Sequence, residues 1–348
     1  MYQATILSLA LTICWGLVNK NSIAQPVDTE RSATEMITPE TDNAIQKGLT
    51  FLASRQNEDG SLGLGMLRQN PAVCSLAGMS FVSAGSTPGR GPYGSQLQRC
   101  IRFVLEHTQD NGFIHAAEDV TRGPMYGHGF ATLFLAQMYG MSPDPLIREK
   151  LGAAVKLIID TQNKEGGWRY LPEQRDADLS VTICQIMALR AAKNTGIFVP
   201  SETIDRCVDF VKRSQNSDGG FMYMLQGGPS EFPRSAAGVV ALYNAGIYEG
   251  NEITRGLDYL LEHLPSPQRV PPKSHYFYGH YYAVQAMWHA GGAYWNRWYP
   301  AIRNELITRQ KNDGSWFSPT DLDSPEYGTA MATLILQLPN NQLPIFQR

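Results

Sequence analysis

The chain has 348 residues, 43% of them hydrophobic and 18% charged, with a net charge of −3. That composition supports a sizeable core and gives no basic footprint for nucleic acid. The five cysteines stand at spacings that match no zinc pattern, so no metal and no cofactor are expected.

In chain order, Ala4 to Val18 is an apolar run followed by Ser22-Ile23-Ala24, the shape of a secretory signal cleaved after Ala24. The run is shorter than the roughly 20 residues that a membrane span needs. An exported protein, periplasmic or secreted, with no transmembrane segment after signal removal is the expectation. Residues 25–37 are polar and non-periodic and predict a flexible leader. Thr38-Pro39-Glu40 then has the form of an N-cap with proline in the first turn. One domain is expected from there, over 38–348.

That domain is built from copies of one motif. The fullest is Gln162-Asn163-Lys164-Glu165-Gly166-Gly167-Trp168, with relatives beginning at Gln56, Gln109, Gln215 and Gln310. The first four glutamines stand 53 residues apart, at positions 56, 109, 162 and 215. The gap from 215 to 310 leaves room for a degenerate copy in the proline-dense stretch Leu264 to Lys273. A fixed period of this length is the signature of a repeat architecture. Each copy reads as helix, tight turn, helix, with Asn-Asp-Gly chemistry supplying a left-handed turn position.

The helices that lead into the glutamines carry the charges and are predicted to be outer: Thr41–Ser54, Gln96–His107, Pro145–Asp160, Ser201–Ser214, Glu252–His263 and Tyr299–Arg309. The second helices are poor in Lys and Glu and are predicted to be buried. They are Pro71–Ala84, Tyr126–Tyr139, Asp178–Lys193, Glu231–Ala245, Tyr278–Ala290 and Glu326–Leu338. Six such pairs can close into a double ring.

The Gln-x-x-x-Gly-x-Trp motif resembles the repeat of squalene–hopene cyclases and of protein prenyltransferase β-subunits. It is most similar to the small, exported, single-ring proteins called prenyltransferase and squalene oxidase repeat proteins. The resemblance implies an all-α fold, an α/α toroid, whose central cavity binds an isoprenoid or another lipid-like ligand. It does not fix the activity. The Asp-x-Asp-Asp acid motif of the cyclases appears as Asp176-Ala177-Asp178-Leu179, so Asp178 matches the proton-donating position. The zinc histidine of the prenyltransferases is matched by His280, but the Asp and Cys positions are Ala237 and Val239. Protein prenyl transfer is therefore not expected.

Registering the inner helices on one another gives two candidate luminal rings. One contains Cys74, His128, Thr182, Ser235, His280 and Tyr327, and the other Asn70, Pro124, Asp178, Glu231, Tyr276 and Asp323. The stretch Tyr276 to Tyr299, including Tyr278, is the most aromatic and serves equally as a binding wall or as core. Asp178, Glu231 and Asp323 also sit where helix caps belong, and a buried histidine is commonly a satisfied core residue. Cys184 and Cys207 allow either a disulfide or two buried thiols. Two functions stay open. The first is a non-catalytic module that binds an apolar small molecule or a glycan. The second is an acid-initiated cyclase or isomerase, with Asp178 as acid and His128 or His280 as partner.

Overall fold

The computed structural model describes residues 33–63, 65–117, 119, 121–267, 274–317 and 324–347. The expected signal segment and its cleavage point, Asp323, and residues 268–273 of the degenerate copy lie outside them. The described residues form twelve α-helices and no strand, with only isolated bridges between turns.

Six helices form the outer layer: α1 (Pro39–Arg55), α3 (Gly94–Glu106), α5 (Pro145–Thr161), α7 (Ser201–Arg213), α9 (Asn251–Leu261) and α11 (Gly292–Arg309). Six form the inner layer: α2 (Pro71–Ser83), α4 (Pro124–Tyr139), α6 (Leu179–Asn194), α8 (Phe232–Asn244), α10 (Tyr276–Ala290) and α12 (Pro325–Gln337). Each inner helix packs on the next, and α12 packs back on α2, so the ring closes. Every residue of α2 is buried, as expected of a helix enclosed on all sides.

Local chemistry starts the helices where the sequence places them. Thr38, Asn70, Asp144, Asp178 and Ser324 each accept a hydrogen bond from an amide in the first turn that follows. One boundary differs. The last outer helix begins at Gly292, a full two turns before the expected Tyr299, and runs through Pro300. Buried Trp295, Trp298 and Tyr299 anchor the added turns, and their packing outweighs the lost proline amide.

The glutamine motifs are the clasps of the ring. Gln162 Nε2 donates to Gly166 O in its own turn and to Thr203 O in the next outer helix, both at 2.9 Å. Gln56 and Gln215 repeat this pattern with Gln96 O and Glu252 O. Gln310 donates to Ala44 O at 2.8 Å and so ties the last repeat to the first. Gly166 has φ +101° and lies so close to the Arg206 carbonyl that a methyl group there would overlap it. Only glycine serves both demands. The Trp168 indole donates to Ile158 O and the Trp316 indole to Leu306 O, each capping the helix before it.

Candidate functional site

Five of the six residues expected to form the first polar ring do not line an opening. In successive repeats the amide two residues after Gly112, Gly166 and Gly219 is held from the inner helix. Ile114 N donates to His128 Nδ1, Trp168 N to Thr182 Oγ1 and Phe221 N to Ser235 Oγ, at 3.2, 3.1 and 2.8 Å. Cys74 Sγ donates to Gly60 O at 3.2 Å. His280 packs among Phe232, Tyr276 and Trp298, between inner and outer layers. In the sixth repeat Thr329 accepts from Trp316 N at 3.0 Å, so the true equivalent lies two residues past Tyr327. This layer is polar because it satisfies turn amides that burial would otherwise orphan. Burial lowers both His128 and His280 to about 3, so both rings are neutral at ordinary pH.

The second ring also divides. Glu231 is half-exposed and pairs with Arg234 at 2.9 Å. Tyr276 points to the outer layer, where its hydroxyl donates to Glu305 at 2.8 Å. Asn70 caps α2 and donates to buried Asp119 at 2.9 Å. Cys184 and Cys207 are separate buried thiols.

Asp178 alone stands within a wider network. It is fully buried at the start of α6, where Oδ1 accepts from Val181 N at 2.9 Å. Oδ2 accepts from the Tyr223 hydroxyl at 3.1 Å and lies 3.7 Å from Arg169 Nε. The Tyr223 hydroxyl meets that of Tyr170 at 2.6 Å, and Arg169 also pairs with Asp176. Burial raises the Asp178 carboxyl to about 6 against the pull of Val181, Tyr223 and Arg169. Its charge, second to burial, pushes the Tyr126 phenol well above its usual value. An open groove of about 440 Å³ is lined by Arg169, Tyr170, Leu171, Glu173, Arg175 and Asp176, and Arg169 joins it to the buried Asp178, which is not itself part of the lining.

Tyr170 and Tyr223 were not singled out in the sequence, although the period marks them. Each follows a motif aromatic by two residues, and they stand one repeat apart. Arg169 had no such signal.

The axis of the ring is occupied by side chains. Tyr278 on α10 donates to Ser180 O at 2.9 Å, and Tyr282 meets Cys184 Sγ at 3.4 Å. Both contacts pass from α10 to α6, two places round the ring. Tyr281 lies 6.1 Å from Phe130 on α4, the helix diametrically opposite. Below them the segment Pro344–Phe346 enters the ring: Trp288 Nε1 donates to Phe346 O at 2.8 Å and Ile345 N to Gln137 Oε1 at 3.2 Å. Of the aromatic stretch, Tyr278, Tyr281 and Tyr282 therefore face the axis, while Tyr276, Trp298 and Tyr299 pack between the inner and outer layers.

This closed double ring is matched by known proteins. The chain has the α/α-toroid fold. A family model for the prenyltransferase alpha-alpha toroid domain matches residues 93–240. The type II terpene cyclase MstE from Scytonema, solved with geranylgeranyl dihydroxybenzoate, superposes with a TM-score of 0.61 at 14% identity. That alignment covers 87% of this chain and 98% of the cyclase. The GH76 α-mannanase BT2949 from Bacteroides thetaiotaomicron superposes with a TM-score of 0.62 at 11% identity, over 89% and 98% of the two chains. At such identities the likeness is one of fold. No curated protein matches the toroid in sequence. No helix of the described residues is long and apolar enough to cross a membrane, and none of their His, Cys, Asp and Glu side chains form a group of three placed to hold a metal.

Proposed function

We propose that this toroid is an exported, non-catalytic binding module that holds a glycan in the groove lined by Arg169, Tyr170 and Arg175. The observation that carries the reading is the filled axis. Tyr278, Tyr281, Tyr282 and Phe130 meet where an isoprenoid chain would have to lie. The groove has what a sugar needs: the exposed Leu171 and the Tyr170 ring for the faces of pyranose rings, and Arg169, Arg175, Glu173 and Asp176 for hydroxyl groups. The α-mannanase neighbour supports the choice of a glycan as first probe. Titration of α-mannooligosaccharides by NMR or calorimetry tests it. Binding that Tyr170→Ala and Arg175→Ala both weaken is the expected result. A prenyl lipid that co-purifies with the mature protein and leaves both variants unaffected would overturn it.

A second reading has one observation in its favour. Asp178 is a buried carboxyl raised to about 6, the environment that general acids use. In that reading Asp178 donates a proton to a ligand seated in the groove once Tyr223 has moved aside. Asp178→Asn keeps the cap to Val181 N and removes the acid, so loss of turnover at unchanged glycan affinity would select this reading. Equal behaviour of wild type and variant selects the binder.

A further inference from the structure

The first repeat departs from the others where its inner helix meets the outer layer. The motif glycines Gly60, Gly112, Gly166 and Gly219 lie against the carbonyls of Arg99, Ala153, Arg206 and Arg255 in the next outer helix. The residues that follow these, Cys100, Ala154, Cys207 and Gly256, therefore hold equivalent places. Their counterparts on the inner helices are Cys74, His128, Thr182 and Ser235. Among these four repeats only the first puts a cysteine in both layers. There the inner residue also changes partner: His128, Thr182 and Ser235 hold motif amides, whereas Cys74 Sγ donates to Gly60 O at 3.2 Å.

Cys74 and Cys100 are fully buried thiols in this structure. Gln56 Nε2 donates to Gly60 O at 3.1 Å and to Cys100 Sγ at 3.2 Å. The two sulfurs therefore flank one hydrogen-bonded pair of atoms, and Cys74 Sγ lies 3.9 Å from the Cys100 carbonyl oxygen. One turn beyond Cys74, a methyl group added to Gly78 would stand 3.4 Å from Cys100 Cβ, so the bare glycine lets the two helices meet closely. Burial pushes the Cys74 thiol well up, and the Cys100 thiol beside it pushes it further. We propose that Cys74 and Cys100 form a disulfide that staples α2 to α3. The oxidant is a small disulfide such as oxidised glutathione. One cysteine thiolate attacks it and expels a glutathione thiolate, and the second cysteine attacks the mixed disulfide and expels the other. The two expelled thiolates take up the two cysteine protons, so one glutathione disulfide is reduced to two thiols as the pair is oxidised. Because the thiolate is the nucleophile, the exchange belongs to folding, before burial closes over the pair.

The full chain is produced in cells whose cytosolic glutathione is kept oxidised. Its folded fraction is denatured without reductant, alkylated and mapped by mass spectrometry. The expected result is a linked pair of peptides carrying Cys74 and Cys100, lighter by two hydrogens than the two free peptides together, with Cys184 and Cys207 alkylated. Reductant should lower the melting temperature of wild type by several degrees, because the unfolded chain regains the freedom of a loop spanning 26 residues. Cys74→Ala and Cys100→Ala should melt at the same temperature with and without reductant. Full alkylation of Cys74 and Cys100 in the folded fraction would overturn the proposal. So would a bridge between other cysteines, such as Cys184 and Cys207, or a response to reductant as large in the two variants as in wild type.

Discussion

The layer between the two rings of helices and the axis inside them are built on opposite principles. The interlayer repeats. Gln56, Gln162, Gln215 and Gln310 each bridge their own turn and the next outer helix. His128, Thr182, Ser235 and Thr329 each hold a motif amide. The axis does not repeat. Its contents come from α10, from Phe130 and from the segment around Phe346. The repeated layer makes a toroid, and the unrepeated axis decides what that toroid can admit. A likeness carried by the motif therefore speaks of the first and not of the second.

The comparison can be broken most severely in the interlayer. Gly166→Val places a branched side chain at positive φ against Arg206 O. It should cost more than about 4 kcal/mol in denaturant unfolding; a loss below half of that would mean that the clasp yields. On the axis, Phe130→Ala should cost about 3–5 kcal/mol. It should also create an apolar void that takes up xenon or benzene, whereas Gly166→Val should not. No uptake would show that the helices collapse inward.

Asp178 sits where the two regions meet, and pH isolates it. Its folded pKa of about 6 lies above the ordinary 3.8, so the folded state holds a proton that the unfolded chain has released. Stability from this group is therefore greatest below pH 4 and is lost as pH rises through 6. With 1.36 kcal/mol per pKa unit, wild type should lose about 2–3 kcal/mol across that window relative to Asp178→Asn. Parallel profiles for the two proteins would show that Arg169 and Tyr223 hold the carboxyl near its usual value.

Gln162→Ala removes two buried hydrogen bonds and should cost about 1–3 kcal/mol, read from a thermal melt. The smallest effect has the opposite sign. Gly152 lies within α5 with nothing within 4 Å of an added methyl group. Gly152→Ala should stabilise by about 0.5–1 kcal/mol.

The same division explains what could be read in advance. The period, the caps and the outer–inner alternation are local patterns, and they placed most helix boundaries within a few residues. Alternation alone does not say which way a given inner position turns. His128 and His280 look like a matched luminal pair in sequence, yet both face the outer layer because turn amides and outer aromatics lie there. Tyr327 stands seven residues before Leu334, as Thr182 does before Leu189 and Ser235 before Leu242, but in the sixth inner helix the residue that holds the motif amide, Thr329, stands only five before it. The Asp-x-Asp pattern did point to Asp178. The approach of Arg169, Tyr170 and Tyr223 to it depends on the path of the 169–178 loop, which no periodicity encodes.

The tie from Gln310 to Ala44 has a consequence in time. Partners across the closing seam stand far apart in the chain. Gln310 and Ala44 are separated by 266 residues, Arg55 and Glu326 by 271, and Ser80 and Ala330 by 250. In an open solenoid each repeat can settle on the one made before it. Here the first repeat finishes burying its flank only when the sixth arrives, so a ribosome halfway through the message carries an open bracelet with an apolar edge on show. Closure of so long a loop is slow, and the exposed edge invites association. Synthesis of this toroid should therefore depend on whatever shields that edge until the clasp has been made.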